Sequence, residues 1–95
     1  MMSPSTTDTV TRVRLVYLAR LREAFASPGE ALDLPAGVAD VADLLALLRA
    51  RGGAWQAELA PGRAVRVAVN HDVATLHTPL AGGDEIALFP PVTGG

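Results

Sequence analysis

Glu85-Ile86-Ala87-Leu88-Phe89-Pro90-Pro91-Val92-Thr93-Gly94-Gly95 closes the chain. Its first five residues alternate, with Ile86 and Leu88 projecting to one face and Ala87 and Phe89 to the other, which is the period of a β-strand. Pro90 and Pro91 then hold the backbone near polyproline II and remove two N–H donors, so strand pairing stops at Phe89. The last two residues have no side chains, and another protein's active site can approach such a terminus from both sides. From Pro90 to Gly95 the tail spans roughly 20 Å when extended. The sequence therefore predicts a strand-anchored probe, residues 90–95, with the carboxylate of Gly95 as its working group.

Working outward, the rest of the chain supplies a body for that strand. Residues 1–11 are polar and unpatterned and read as a disordered leader, and residues 12–89 read as one domain. Arg12 to Leu18 alternates, with Val13, Leu15 and Tyr17 on one side and Arg14, Val16 and Leu18 on the other. A short helix is expected over 19–26, with Leu21 and Phe25 four apart, then a turn at Ser27-Pro28-Gly29 and a second strand over 30–34. The main helix is expected over 40–51. Asp40 is its N-cap, Val41, Leu44, Leu45 and Leu48 form its apolar stripe, Arg49 and Arg51 favour its C-terminal dipole, and Gly52 follows as the C′ residue. Trp55 and Leu59 suggest a further helical turn, with Trp55 as a core plug. Val65, Val67 and Val69 make a third strand, residues 73–76 a short edge strand, and Ala81-Gly82-Gly83-Asp84 a tight turn before the last strand. This order predicts an α+β fold of the β-grasp, ubiquitin-like layout. About five strands form a mixed sheet on one main helix, and the first and last strands make a central parallel pair.

Composition narrows the chemistry. The 95 residues carry a net charge of −2 and include no cysteine, so disulfides and thiolate metal sites are excluded, and any sulfur would have to sit elsewhere than on a side-chain thiol. The spacing of His71 and His77 does not suggest a metal site. All eight basic residues are arginines, without a basic stripe, which argues against nucleic acid. With no lysine, the chain has no side-chain amine that could capture an activated carboxyl group. Neither a signal peptide nor a membrane span is visible, which makes the cytoplasm the expected compartment.

The stretch Gly83-Asp84-Glu85 through Phe89-Pro90-Pro91-Val92-Thr93-Gly94-Gly95 resembles the small, sulfur-carrying subunits of molybdopterin synthase, the MoaD family. Ala19 with Arg22-Glu23, Trp55, Val69-Asn70 and Pro79-Leu80 support the resemblance, which runs over residues 13–95. It implies that an ATP-using, ubiquitin-activating-like adenylyltransferase activates Gly95, and that a sulfur-delivery pathway leaves a C-terminal thiocarboxylate. The tail, Pro90, Pro91, Val92, Thr93 and Gly94, would thread the large subunit of the synthase. Sulfur would pass there to cyclic pyranopterin monophosphate within a heterotetramer holding two small subunits. The chain would bind no cofactor, and ATP would be used by the activating enzyme. The resemblance also implies an apolar contact patch at Leu18, Val73 and Phe89. Two alternatives stand beside this reading: a sulfur carrier for thiamine or cysteine biosynthesis, and a β-grasp binding module whose tail is never activated. Among the residues themselves no nucleophile–base pair suggests a free-standing enzyme.

Overall fold

The computed structural model describes residues 11–91. Residues 1–10 and Val92–Gly95 lie outside the described residues, and with them most of the expected leader and the tip of the tail. Thr11 belongs to the body: it starts strand β1, Thr11–Tyr17, and pairs with Leu34.

Five strands form one mixed sheet in the order β2-β1-β5-β3-β4. β2, Gly29–Leu34, runs antiparallel to β1. β5, Glu85–Phe89, lies parallel to β1, with Leu15 opposite Ile86 and Tyr17 opposite Leu88. β3, Arg66–Val69, pairs antiparallel with β5, and β4, Asp72–Val73, forms the edge. The expected β-grasp layout and its central parallel pair are both present. The alternation read from sequence also gives the burial: Val13, Leu15, Tyr17, Ile86 and Leu88 are all at most 1% exposed. Each such aliphatic side chain contributes about 2 kcal/mol by leaving water.

That face is covered by α2, Val41–Arg49. Asp40 caps it, its carboxylate accepting from the Asp43 amide at 2.9 Å, and the Asp43 carboxylate accepts from the Ala39 amide at 3.0 Å. Val41, Leu44, Leu45 and Leu48 point into the core. The helix ends two residues before the expected limit, because the chain turns at once into α3, Gly53–Glu58, for which Gly52 (φ +79°) is the N-cap rather than the C′ residue of α2. The Gly52 carbonyl accepts from the Trp55 amide. Arg51 consequently leaves the helix dipole and pairs with Glu30 instead.

Two other elements are shorter than the sequence pattern suggests. α1, Ala19–Ala24, stops so that Phe25 can turn into the core, and Ala26 follows at φ +53°. β4 stops at Val73 because Thr75 and Thr78 form a local turn: the Thr78 hydroxyl accepts from the Thr75 amide at 3.0 Å and diverts the chain from the ladder. Asn70 and His71, at φ +53° and +74°, make the two-residue turn between β3 and β4.

Gly29 is required by close approach. A Cβ there would stand 2.2 Å from the Leu15 carbonyl oxygen, at the point where β2 begins to pair with β1.

Candidate functional site

The tail leaves from β5, the central strand of the sheet, which is paired on both sides. Leu88 is fully buried, its carbonyl accepts from the Leu18 amide at 3.1 Å, and Phe89 lies opposite Arg66. Pro90 follows and ends the ladder for want of an N–H. Pro90 and Pro91 are half-buried, lining a cleft of about 340 Å³ with Arg20, Gly62, Arg63 and Ala64. Val92, Thr93, Gly94 and Gly95 lie outside the described residues.

Phe89, Leu18 and Val73 all lie on the side of the sheet that α2 does not cover. Leu18 is 42% exposed and Val73 73% exposed, while Phe89 is half-buried. The register joins them. Val16 stands opposite Ala87, Ala87 opposite Ala68, and Ala68 opposite Val73, so one apolar row crosses four strands. At ordinary strand spacing this puts Val73 about 10 Å from β5. Two alanines in the middle of the row make it shallow, with Phe89 and Leu18 rising at the end nearest the tail. Val16, Ala68 and Ala87 were not singled out from sequence. Each looks like filler by itself, and only the cross-strand register shows that they share a surface.

Beneath that end of the sheet the support is aromatic. Phe25 stacks on Trp55 with ring centroids 3.8 Å apart, and Tyr17 meets both rings edge-on at 5.1 and 5.3 Å. The guanidinium of Arg51 lies 4.5 Å from the Trp55 ring centre. The Tyr17 hydroxyl donates to the Glu30 carboxylate at 2.6 Å, and Arg51 donates to both Glu30 oxygens at 2.8 and 3.0 Å. Those Arg51 bonds hold the Glu30 carboxyl below its ordinary pKa, while burial and the bond to Glu30 push the Tyr17 phenol up. Trp55 is half-buried and packs against the core.

Chemically the surroundings of the tail root are simple. Glu58 holds Arg20 at 3.2 Å and Arg63 at 3.1 Å. Guanidiniums and one carboxylate are groups suited to binding and orienting a charged or polar partner. Among the described residues no cluster of three histidines or carboxylates could hold a metal ion, and no helix is long and apolar enough to cross a membrane. A groove of about 600 Å³ between β2 and α2 is lined mainly by Leu32, Leu34, Pro35 and Leu47, away from the tail root.

Comparison with known proteins agrees with this geometry. Residues 15–95 match the family model described as the ThiS family. The molybdopterin synthase sulfur carrier subunit of Escherichia coli (strain K12) is 32% identical over 83 residues, which cover 87% of this chain and 99% of that protein. SAMP1 from Haloferax volcanii has a similar structure, with a TM-score of 0.68 at 32% identity, covering 88% of this chain and 99% of that one. A chain in the complex of subunits 1 and 2 of molybdopterin-converting factor from Helicobacter pylori 26695 is similar at a TM-score of 0.57 and 28% identity, covering 88% and 99%. The chain belongs to the ThiS family and to the family of the molybdopterin synthase sulfur carrier subunits, MoaD.

Proposed function

We propose that this chain is the sulfur-donating subunit of a molybdopterin synthase in the cytoplasm, with Gly95 as the group that carries the sulfur. Its carboxylate is a poor acyl donor. An adenylyltransferase would join it to AMP from ATP, releasing pyrophosphate. Sulfur from a delivery pathway would then displace AMP and leave a thiocarboxylate. The tail, Pro90 to Gly94, would carry that sulfur into the large subunit, where it attacks cyclic pyranopterin monophosphate. Hydrolysis of the acyl–sulfur bond then returns the Gly95 carboxylate, and two such transfers complete the dithiolene. The chain contributes position rather than acid–base groups. It binds no cofactor of its own, and ATP is consumed by the activating enzyme.

The observation that carries this reading is the family match reaching Gly95, on a tail whose root is a buried, doubly paired strand. The large subunit is the partner by analogy with the Helicobacter pylori complex of subunits 1 and 2. Leu18, Phe89 and Val73, with the alanine row between them, form the contact patch, apolar residues grouped around a working terminus.

Intact-mass measurement tests the carrier step. After incubation with ATP, an activating enzyme and a sulfur source, the chain should gain the difference between sulfur and oxygen, and Gly95→Phe should fail to pass that sulfur on. An unchanged mass favours a binding module that is never activated. A second reading, a sulfur carrier for thiamine synthesis, is favoured by the match to the ThiS family. Co-purification with a thiazole synthase in place of the large subunit would decide for it.

A further inference from the structure

Two chain segments flank the root of the tail, and its prolines leave them without a ladder. β1 lies on one side of β5 and β3 on the other. The pairing reaches the Leu18 amide on the Leu88 carbonyl on the first side, and Arg66 opposite Phe89 on the second. Pro90 and Pro91 continue the line of β5 without an N–H to donate. They line one cleft with Arg20, from the segment that follows β1, and with Gly62, Arg63 and Ala64, from the segment that enters β3. The walls of that cleft are therefore the neighbours of β5, carried past the point where the sheet ties them.

Glu58 ties the walls instead. One carboxylate oxygen, Oε1, accepts from Arg63 Nη2 at 3.1 Å and stands 3.2 Å from Arg20 Nε. The Glu58 side chain is 18% exposed, against 50% for Arg20 and 46% for Arg63, so the carboxylate is a covered post and the arginines are the arms that reach it. The post is fixed from behind. Arg49 Nε donates at 2.9 Å to the carbonyl of buried Leu59, which ties the end of α3 to α2. Arg20 is brought to the post by Ala19, at φ +53°, a left-handed backbone that an alanine adopts where its surroundings impose it. The Leu18 carbonyl, accepting from the Leu21 and Arg22 amides, holds that turn. A pair with half-exposed arginines adds little to stability. This one joins two segments that the ladder no longer joins, so its effect is on geometry.

We propose that Glu58 is a positioning residue for sulfur transfer: by joining Arg20 to Arg63 it closes the walls of the cleft around Pro90-Pro91 and fixes the direction in which the tail leaves the sheet. The transfer is that of the functional reading above, on which this role rests. A root held in one direction presents the tail to the large subunit without a search. A loose root divides its time among directions, and the apparent affinity falls with the fraction spent in the right one. Once the tail is seated, the partner holds it, so the maximal rate is spared. Glu58 touches no reacting atom in this account and acts through the two arginines and the prolines.

The test has two readings on the full chain. Carbon relaxation at the Cα of Pro90 and Pro91 reports the root in the free protein: order parameters near about 0.85 in wild type should fall towards about 0.6 in Glu58→Ala. Single-turnover transfer from the thiocarboxylated chain to cyclic pyranopterin monophosphate, titrated with the large subunit, reports the consequence. The half-saturating concentration should rise about fivefold and the maximal rate stay within about twofold. Arg63→Ala frees one wall and should match Glu58→Ala in both readings, the double variant should go no further, and Arg63→Lys should recover most of the loss. Asp33→Ala, which breaks the Arg12–Asp33 pair away from the tail root, should leave both readings at wild type. Thermal unfolding checks the fold, and if Glu58→Ala does not fold, the exposed Arg63→Ala carries both readings. Unchanged proline order in these variants would overturn the proposal, as would a loss confined to the maximal rate or an equal loss with Asp33→Ala. If wild type passes no sulfur to the pterin, the functional reading falls and the role in transfer falls with it, whereas normal wild-type transfer with unchanged proline order removes the clamp alone.

Discussion

Where β1 and β5 begin, the strands are tied by hydrogen bonds; where they finish, they are held from beneath by rings and left open above. At the first end Asn70 donates to the Asp84 carboxylate at 2.9 Å and accepts from the Glu85 amide at 3.0 Å. Its own amide donates to the Glu85 carbonyl at 2.7 Å, the Asp84 carbonyl accepts from Arg14, and the Gly83 amide donates to the Arg12 carbonyl. The turn, the β3–β4 hairpin and the two central strands are thus locked together. At the second end Tyr17, Phe25 and Trp55 pack on the core side, and Pro90 ends the ladder one residue after Phe89. The difference teaches how a small body can present a free strand end: one terminus of the strand is clamped so that the other can be released without fraying the sheet.

Breaking the shared anchor should have the largest effect. Leu88 is fully buried on the core face of β5 and carries the last carbonyl of the β1–β5 ladder. Leu88→Ala should cost about 3 kcal/mol and lower Tm by about 15 °C, measured by thermal unfolding. A loss under about 1 kcal/mol would mean that the strand is not what holds the tail. Asn70→Gly comes next. It keeps the backbone at its positive φ and deletes only the side-chain clasp, so about 1.5 kcal/mol should be lost. Amide exchange should separate the ends: faster at Glu85 and in the β3–β4 turn, unchanged at Leu18. Equal acceleration at Leu18 would show that the two ends are not independent.

The same contrast explains how much could be read beforehand. Alternation in Val13-Arg14-Leu15-Val16-Tyr17 and Ile86-Ala87-Leu88-Phe89 was enough for the strands, their buried faces and the exposure of Leu18, because period two is a local signal. The Asp40 cap and the α2 stripe were legible for the same reason. Long-range pairing was not. Arg51 and Glu30 are 21 residues apart, and nothing near Arg51 hints that it leaves the helix to pair across the fold. Val73 could be named by resemblance, but its place beside Ala68, Ala87 and Val16 needs the register of four strands. Asn70 belongs to the Val69-Asn70 motif, yet its clasp on Asp84 and Glu85 appears only when the β3–β4 turn is folded against β5.

The smallest effect is expected at the polar lock beside the aromatic rings, and its pH dependence separates it from the clasp. Glu30 bonds to Arg51 and to Tyr17, with side-chain exposures of 29% for Glu30 and 31% for Arg51, so water weakens the pair without erasing it. Arg51 lowers the Glu30 pKa in the folded state, so the folded protein binds that proton less readily than the unfolded chain. The stabilisation is therefore present above the ordinary glutamate value of 4.5 and is lost as pH falls through the depressed folded value. Glu30→Gln should cost about 1 kcal/mol or less at neutral pH, and its urea midpoint should converge on wild type in acid. Tyr17 carries the opposite sign. Its raised phenol pKa gives stability that holds below the ordinary value of 10.0 and is lost in stronger base. Asn70→Gly, by contrast, removes a neutral side chain, so its cost should not follow the loss of the Glu30–Arg51 pair. A Glu30→Gln deficit that stayed constant through the acid range would show that the ion pair is incidental, and that the rings alone hold the open end of the sheet.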